Sequence, residues 1–125
     1  MTGRGRSWLR PAEAVVLSIL IGLSGCHSYH IETTVENHTG VAIQLLEVDY
    51  PNASFGADSL AAGADFHYRI QIQGSGTLKV QYTSSGGRQV QISGPTLSER
   101  QEGTLSIVLL PDGKAEFGPQ LIPGS

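Results

Sequence analysis

The side chains able to do chemistry are few, and their spacing is poor for it. Four histidines are present: His27 and His30 flank Ser28-Tyr29, and His38 and His67 follow. Paired imidazoles are metal-ligand types, but a blue-copper centre needs a cysteine thiolate and commonly an axial methionine. The chain holds one cysteine, Cys26, and one methionine, Met1. The histidines therefore read as solvated strand-face residues. Asp49, Asn52 and Asp58 gather oxygens in the stretch DYPNASFGADS, which reads as a loop. They lack the D-x-D-x-D-G spacing of a calcium loop and read as turn and strand-end residues. Glu99 and Glu102 share one loop, whereas hydrolytic carboxylates face each other across a substrate. No G-x-S-x-G elbow occurs, and the glycine pairs stand where strands turn, without the following helix of a phosphate loop. The expectation is a non-enzymatic protein with no catalytic residue, metal or cofactor. Asn37-His38-Thr39 and Asn52-Ala53-Ser54 match the glycosylation sequon by coincidence, and Asn37-His38-Thr39-Gly40 supplies turn chemistry.

Amides make the largest grouping. Gln71, Gln73, Gln81, Gln89 and Gln91 share the polar parity of three successive apolar-alternating stretches with His67, Arg69 and Lys79. Strands paired as a meander would merge these eight into one flat hydrogen-bonding face for a protein or a glycan.

The cysteine ends a distinctive leading segment. Arg4, Arg6 and Arg10 precede an apolar run over 14–23, and Ser24 and Gly25 lead into Cys26. A basic region, an apolar region of about 7–15 residues and a small-residue cleavage site describe an export signal. The run is short of the roughly 20 apolar residues of a bilayer-spanning helix. It has no polar side at helical spacing either, as a buried amphipathic helix would.

Leu23-Ser24-Gly25-Cys26 resembles the lipobox of bacterial lipoproteins. The resemblance implies diacylglyceryl attachment at the Cys26 thiol, cleavage before it, and usually acylation of the new amino terminus. Two acyl chains suffice for stable anchoring, at about 0.8 kcal/mol per buried CH₂. The rival is a free or disulfide-bonded cysteine in a secreted protein. His27 stands where an aspartate would retain an enteric lipoprotein in the inner membrane. The resemblance thus implies a cell-envelope protein, with the outer membrane facing the periplasm favoured. It marks off a signal peptide (1–25) and a lipidated terminus and tether (26–29), and the residue pattern beyond adds a domain (30–117) and a tail with Pro119 and Pro123 expected to be loosely ordered (118–125).

The single tryptophan, Trp8, lies in the signal, which weakens the glycan reading because aromatic platforms stack on sugars. Beyond it, Arg69, Lys79, Arg88, Arg100 and Lys114 face ten acidic residues, a net charge of −5. That excludes a nucleic-acid binder with a basic patch and adhesion to anionic lipid by overall charge.

Alternation of period two recurs along the domain. It runs through Ile31, Thr33 and Val35, and again through Val41, Ile43 and Leu45. There the parity slips, because Leu46, Val48 and Tyr50 carry the pattern on; one extra residue near Leu45–Leu46 is what a β-bulge requires. Phe66, Tyr68, Ile70 and Ile72 alternate next, then Leu78, Val80 and Tyr82, then Val90 and Ile92. After a loop over 94–103 come Leu105, Ile107 and Leu109, and Pro111-Asp112-Gly113-Lys114 is a hairpin signal leading to Ala115 and Phe117. About seven short strands in roughly 100 residues predict an all-β, Ig-like antiparallel β-sandwich, with a small β-barrel as runner-up. VENHTGVAIQLLEV followed by LAAGADFHYRI is similar to bacterial Ig-like and fibronectin III-like domains, over roughly 31–117, and this implies fold alone. The expected partners are membrane lipid, through acylated Cys26, and an envelope protein. The alternative is capture of a small ligand inside a barrel.

Overall fold

The computed structural model describes residues 28–123, so the signal segment, Cys26 and His27 lie outside the described residues. Eight strands make up the domain: β1 (Ile31–Asn37), β2 (Ile43–Tyr50), β3 (Ala53–Leu60), β4 (Asp65–Ile70), β5 (Gly76–Thr83), β6 (Gln89–Leu97), β7 (Glu102–Leu110) and β8 (Lys114–Ile122). They form two four-stranded sheets, β4-β1-β7-β8 and β3-β2-β5-β6, packed as a sandwich. The all-β sandwich expected from the alternation is present, and the barrel is not, because the two sheets do not join.

The core comes from the inner strands. Ile31 and Val35 of β1 and Leu105, Ile107 and Leu109 of β7 meet Ile43, Leu46 and Val48 of β2 and Leu78, Val80 and Tyr82 of β5, all buried. Each such side chain contributes about 1.5–3 kcal/mol by leaving water. One pairing departs from an all-antiparallel sheet. β1 and β7 run parallel, Ile31 beside Gly103 and Asn37 beside Leu109. Parallel neighbours need a long crossover, and here everything from β2 to β6 supplies it.

The parity slip in β2 is a bulge. Between Gln44↔Thr83 and Glu47↔Gln81, β2 spends two residues where β5 spends one. Leu45 takes φ of 51° and is 64% exposed, while Leu46 on the other side of the slip is 2% exposed. The bulge therefore returns Ile43, Leu46 and Val48 to the same core face.

Three expectations need correction. The stretch around Asn52 and Asp58 is not a loop: Pro51 and Asn52 form a two-residue turn, with Asn52 at φ 71°, and β3 follows at once. Pro then a positive-φ Asn is type II turn chemistry. Residues 118–122 are not a loose tail but the end of β8, paired with β7 as far as Glu102↔Ile122. Pro119 does not stop the strand because β8 is an edge, and an edge strand need not donate on its outer side. The loop over 94–103 is shorter than expected, since β6 runs to Leu97 and β7 begins at Glu102.

A buried asparagine joins two turns at the far end. Asn37 is fully buried, and its Nδ2 donates to the carbonyls of Val41, Leu60 and Ala61 at 2.8, 3.0 and 3.1 Å. Its Oδ1 accepts from the backbone N–H and hydroxyl of Thr39. The first sequon is thus a structural clamp.

Candidate functional site

The eight residues grouped by parity do not share a face. β4 pairs with β1, not β5, so His67 and Arg69 lie on the outer face of the first sheet. Gln71 and Gln73 follow the end of β4, in the connection to β5. Only Lys79, Gln81, Gln89 and Gln91 come together, on the outer face of the second sheet. Parity reports a side of a strand, whereas membership of a sheet depends on long-range pairing.

That outer face is ordered in rows across β2, β5 and β6. Asp49 pairs with Lys79 and Lys79 with Ser93; Glu47 pairs with Gln81 and Gln81 with Gln91; Gln44 pairs with Thr83 and Thr83 with Gln89. Gln81 Nε2 donates to Glu47 Oε1 at 3.1 Å. A hollow of about 470 Å³ opens over these rows, bordered by Leu45, Glu47, Gln81, Thr83, Gln89 and Gln91. Leu45 is its exposed apolar element, beside the buried Tyr82 and Val90. A leucine with positive φ is a strained residue, and such strain collects at functional positions.

Two carboxylates two residues apart share this face. Half-burial, a hydrogen bond shared with Glu47 and the Glu47 charge push Asp49 up to about 6, while Lys79 pulls the other way. Between about pH 4 and pH 6 the folded chain thus holds a proton on Asp49 that the unfolded chain has released. Stability should fall as pH rises from about 4 to about 6 and then level off. Denaturant titrations across that range check this, and Asp49→Asn should flatten the slope.

A second recess lies at the end of the sandwich where β1 begins. His30, the Pro51-Asn52 turn, Tyr50, Tyr68, Arg69, Gln71 and Gln73 surround a cleft of about 380 Å³. The Asn52 side-chain amide donates to the Gln73 carbonyl and braces the turn against the β4–β5 connection. Burial pushes the Tyr50 phenol up, and the neighbouring Tyr68 adds to this. Tyr68 stacks on Phe55 with ring centroids 4.7 Å apart. Sequence reasoning used these tyrosines only as strand markers, and the Pro51-Asn52 signal was the available pointer to the cleft.

The outer face of the first sheet carries surface pairs. Arg69 Nε bonds Glu32 Oε2 at 2.6 Å. His67 lies 3.0 Å from the Thr34 hydroxyl and 3.5 Å from Asp65, and His38 lies 3.1 Å from Glu36. Among the described residues, no three His, Cys, Asp or Glu side chains are grouped to hold a metal.

These features define a two-sheet β-sandwich with a polar, hollowed outer face. No family model and no curated protein matches the sequence. A solved structure is similar: a protein from Eubacterium rectale determined by NMR, 12% identical, with a TM-score of 0.52 over 77% of this chain and 90% of that one. At that identity the likeness concerns the fold.

Proposed function

We propose that the chain is a lipid-anchored module of the bacterial cell envelope, acylated at Cys26, which binds a protein partner through the outer face of β2, β5 and β6 and has no catalytic role. The outer membrane, periplasmic side, is the proposed location. The observation that carries the binding reading is Leu45. The bulge accounts for the backbone strain at Leu45, but its exposed leucyl side chain amid carboxylate and amide groups gains nothing within the domain. It suits an apolar anchor inside a polar contact surface. The anchoring reading rests on the signal segment and on Leu23-Ser24-Gly25-Cys26.

A photo-crosslinking side chain at Gln91 in intact cells should capture one reproducible protein, and one at Glu116, on the other sheet, should not. Leu45→Asn tolerates the positive φ and removes the apolar group. It should abolish the crosslink and leave the melting temperature unchanged or higher. Crosslinking that survives Leu45→Asn would overturn the binding face. Separately, Cys26→Ser should release the exported protein from the membrane fraction; palmitate label still entering that variant would refute acylation at Cys26.

A further inference from the structure

The cleft beside His30 has a composition at odds with the rest of the domain. The described residues carry five basic and ten acidic side chains, yet none of the nine residues lining this cleft is acidic. What lines it is rich in donors: the Arg69 guanidinium, the His30 imidazole, the amides of Gln71 and Gln73, and the hydroxyls of Tyr50 and Tyr68. Arg69 has one ion pair among the described residues, made through Nε to Glu32, so its two terminal nitrogens keep their bonding capacity for a ligand. A planar guanidinium with neighbouring amides matches the oxygens of a phosphate, where charge-assisted bonds are about twice as strong as neutral ones. Its volume of about 380 Å³ lies within the range of small-ligand sites, roughly 300–1,000 Å³.

Position selects the source of the phosphate. Cys26 precedes His30 by four residues, which reach at most about 14 Å when extended. A chain acylated at Cys26 therefore holds this cleft against the headgroup layer. Tyrosines suit that depth, since amphipathic rings are favoured at the headgroup level.

We propose that the cleft between the Pro51-Asn52 turn and the end of β4 binds the phosphate of a phospholipid headgroup in the bilayer that anchors the chain. This rests on the acylation reading for its source of lipid. The bound headgroup orients the sandwich on the membrane and leaves the β2-β5-β6 face turned toward a partner. The net acidic charge of the body opposes close approach to an anionic surface, so the headgroup contact also fixes which end approaches.

The test uses the full lipidated chain in nanodiscs of phosphatidylglycerol and, for comparison, of digalactosyldiacylglycerol, which carries no phosphate. Side-chain NMR signals of Arg69 Nε–H and the Gln71 and Gln73 amides should shift in phosphatidylglycerol and not in the galactolipid. Arg69→Gln should remove the shifts, while Tyr68→Phe, which keeps the ring stack, should retain most of them. Inorganic phosphate added to the galactolipid sample should reproduce them only weakly, about tenfold or more below a short-chain phosphatidylglycerol of equal concentration. Equal shifts in both bilayers, or shifts that survive Arg69→Gln, overturn the proposal. Equal potency of inorganic phosphate overturns the lipid source and leaves a free-phosphate site. If the chain is not retained by either nanodisc, the acylation reading has failed. The short-chain phosphatidylglycerol titration then decides the cleft by itself: no Arg69-dependent shift overturns the site.

Discussion

The two flanks of the sandwich, where the sheets end side by side, are closed by different means. On one flank β3 and β4 are the edges, and rings fill the seam: Phe55 from one sheet lies 6.0 Å from Phe66 and 4.7 Å from Tyr68 of the other. Tyr50 adds a fourth ring at 6.2 Å from Phe55. On the opposite flank β6 and β8 are the edges, and each carries a Gly-Pro pair, Gly94-Pro95 and Gly118-Pro119. Phe117 lies over Gly94 there, where an added Cβ would come 2.8 Å from its ring. Proline at an edge cannot donate to an incoming strand, so this flank is protected against pairing with another chain. The aromatic flank has no proline within β3 or β4 and is stabilised by contact between sheets instead. One side of the molecule is built to refuse strands, the other to hold the sheets together.

The largest effect should come from the rings. Phe55→Ala empties the centre of the seam and should cost about 3–5 kcal/mol in chemical denaturation. A loss below 1 kcal/mol, on the order of a surface change, would show that the rings do not join the sheets. Gly94→Ala acts on the other flank by crowding, since Phe117 and Leu78 stand 2.8 and 3.1 Å from the new carbon. Overpacking of this kind should cost about 1–3 kcal/mol. Thr33 lies opposite Tyr68 on β1, and its hydroxyl is buried without a partner among the described residues. Thr33→Val keeps the shape and should stabilise by about 1 kcal/mol, visible as a higher denaturation midpoint. The smallest stability change, within about 0.5 kcal/mol, is expected for Pro95→Val with Pro119→Val. That pair should instead promote self-association in sedimentation velocity, and a strictly monomeric product would remove the protective role given to the prolines.

What the sequence disclosed divides along the same lines. The strands of the core were legible because their apolar residues alternate, and the bulge was legible because Leu45 and Leu46 are adjacent. β3 was not, since only Phe55 and Leu60 of its eight residues are buried, at an odd separation. It follows the switch of face at the β2 bulge with Gly, Ala, Asp and Ser there, and no large apolar residue marks the change. The end of β8 was hidden by Pro119, which argues against an inner strand but is acceptable in an edge. The shared amide face failed at the β4–β5 connection, where the chain passes from one sheet to the other. Parity continues through Gln71 and Gln73 across that passage, and nothing local marks it. The hollow around Leu45 and the acid-free cleft are products of folding, assembled from residues far apart in the chain.

The place of β1 in its sheet has a mechanical consequence. β1 is an inner strand, with six residue pairs to β4 on one side and seven to β7 on the other. A tether leading from its first residue transmits tension along the strand axis. Such a pull loads both ladders in shear, so their bonds must yield together, whereas an edge strand pulled sideways would open one pair at a time. Forced unfolding is governed by the unfolding rate, and shear raises the barrier that sets it. A domain held from this strand while its outer face grips a partner should therefore extend its linker, or release the partner, before it unravels.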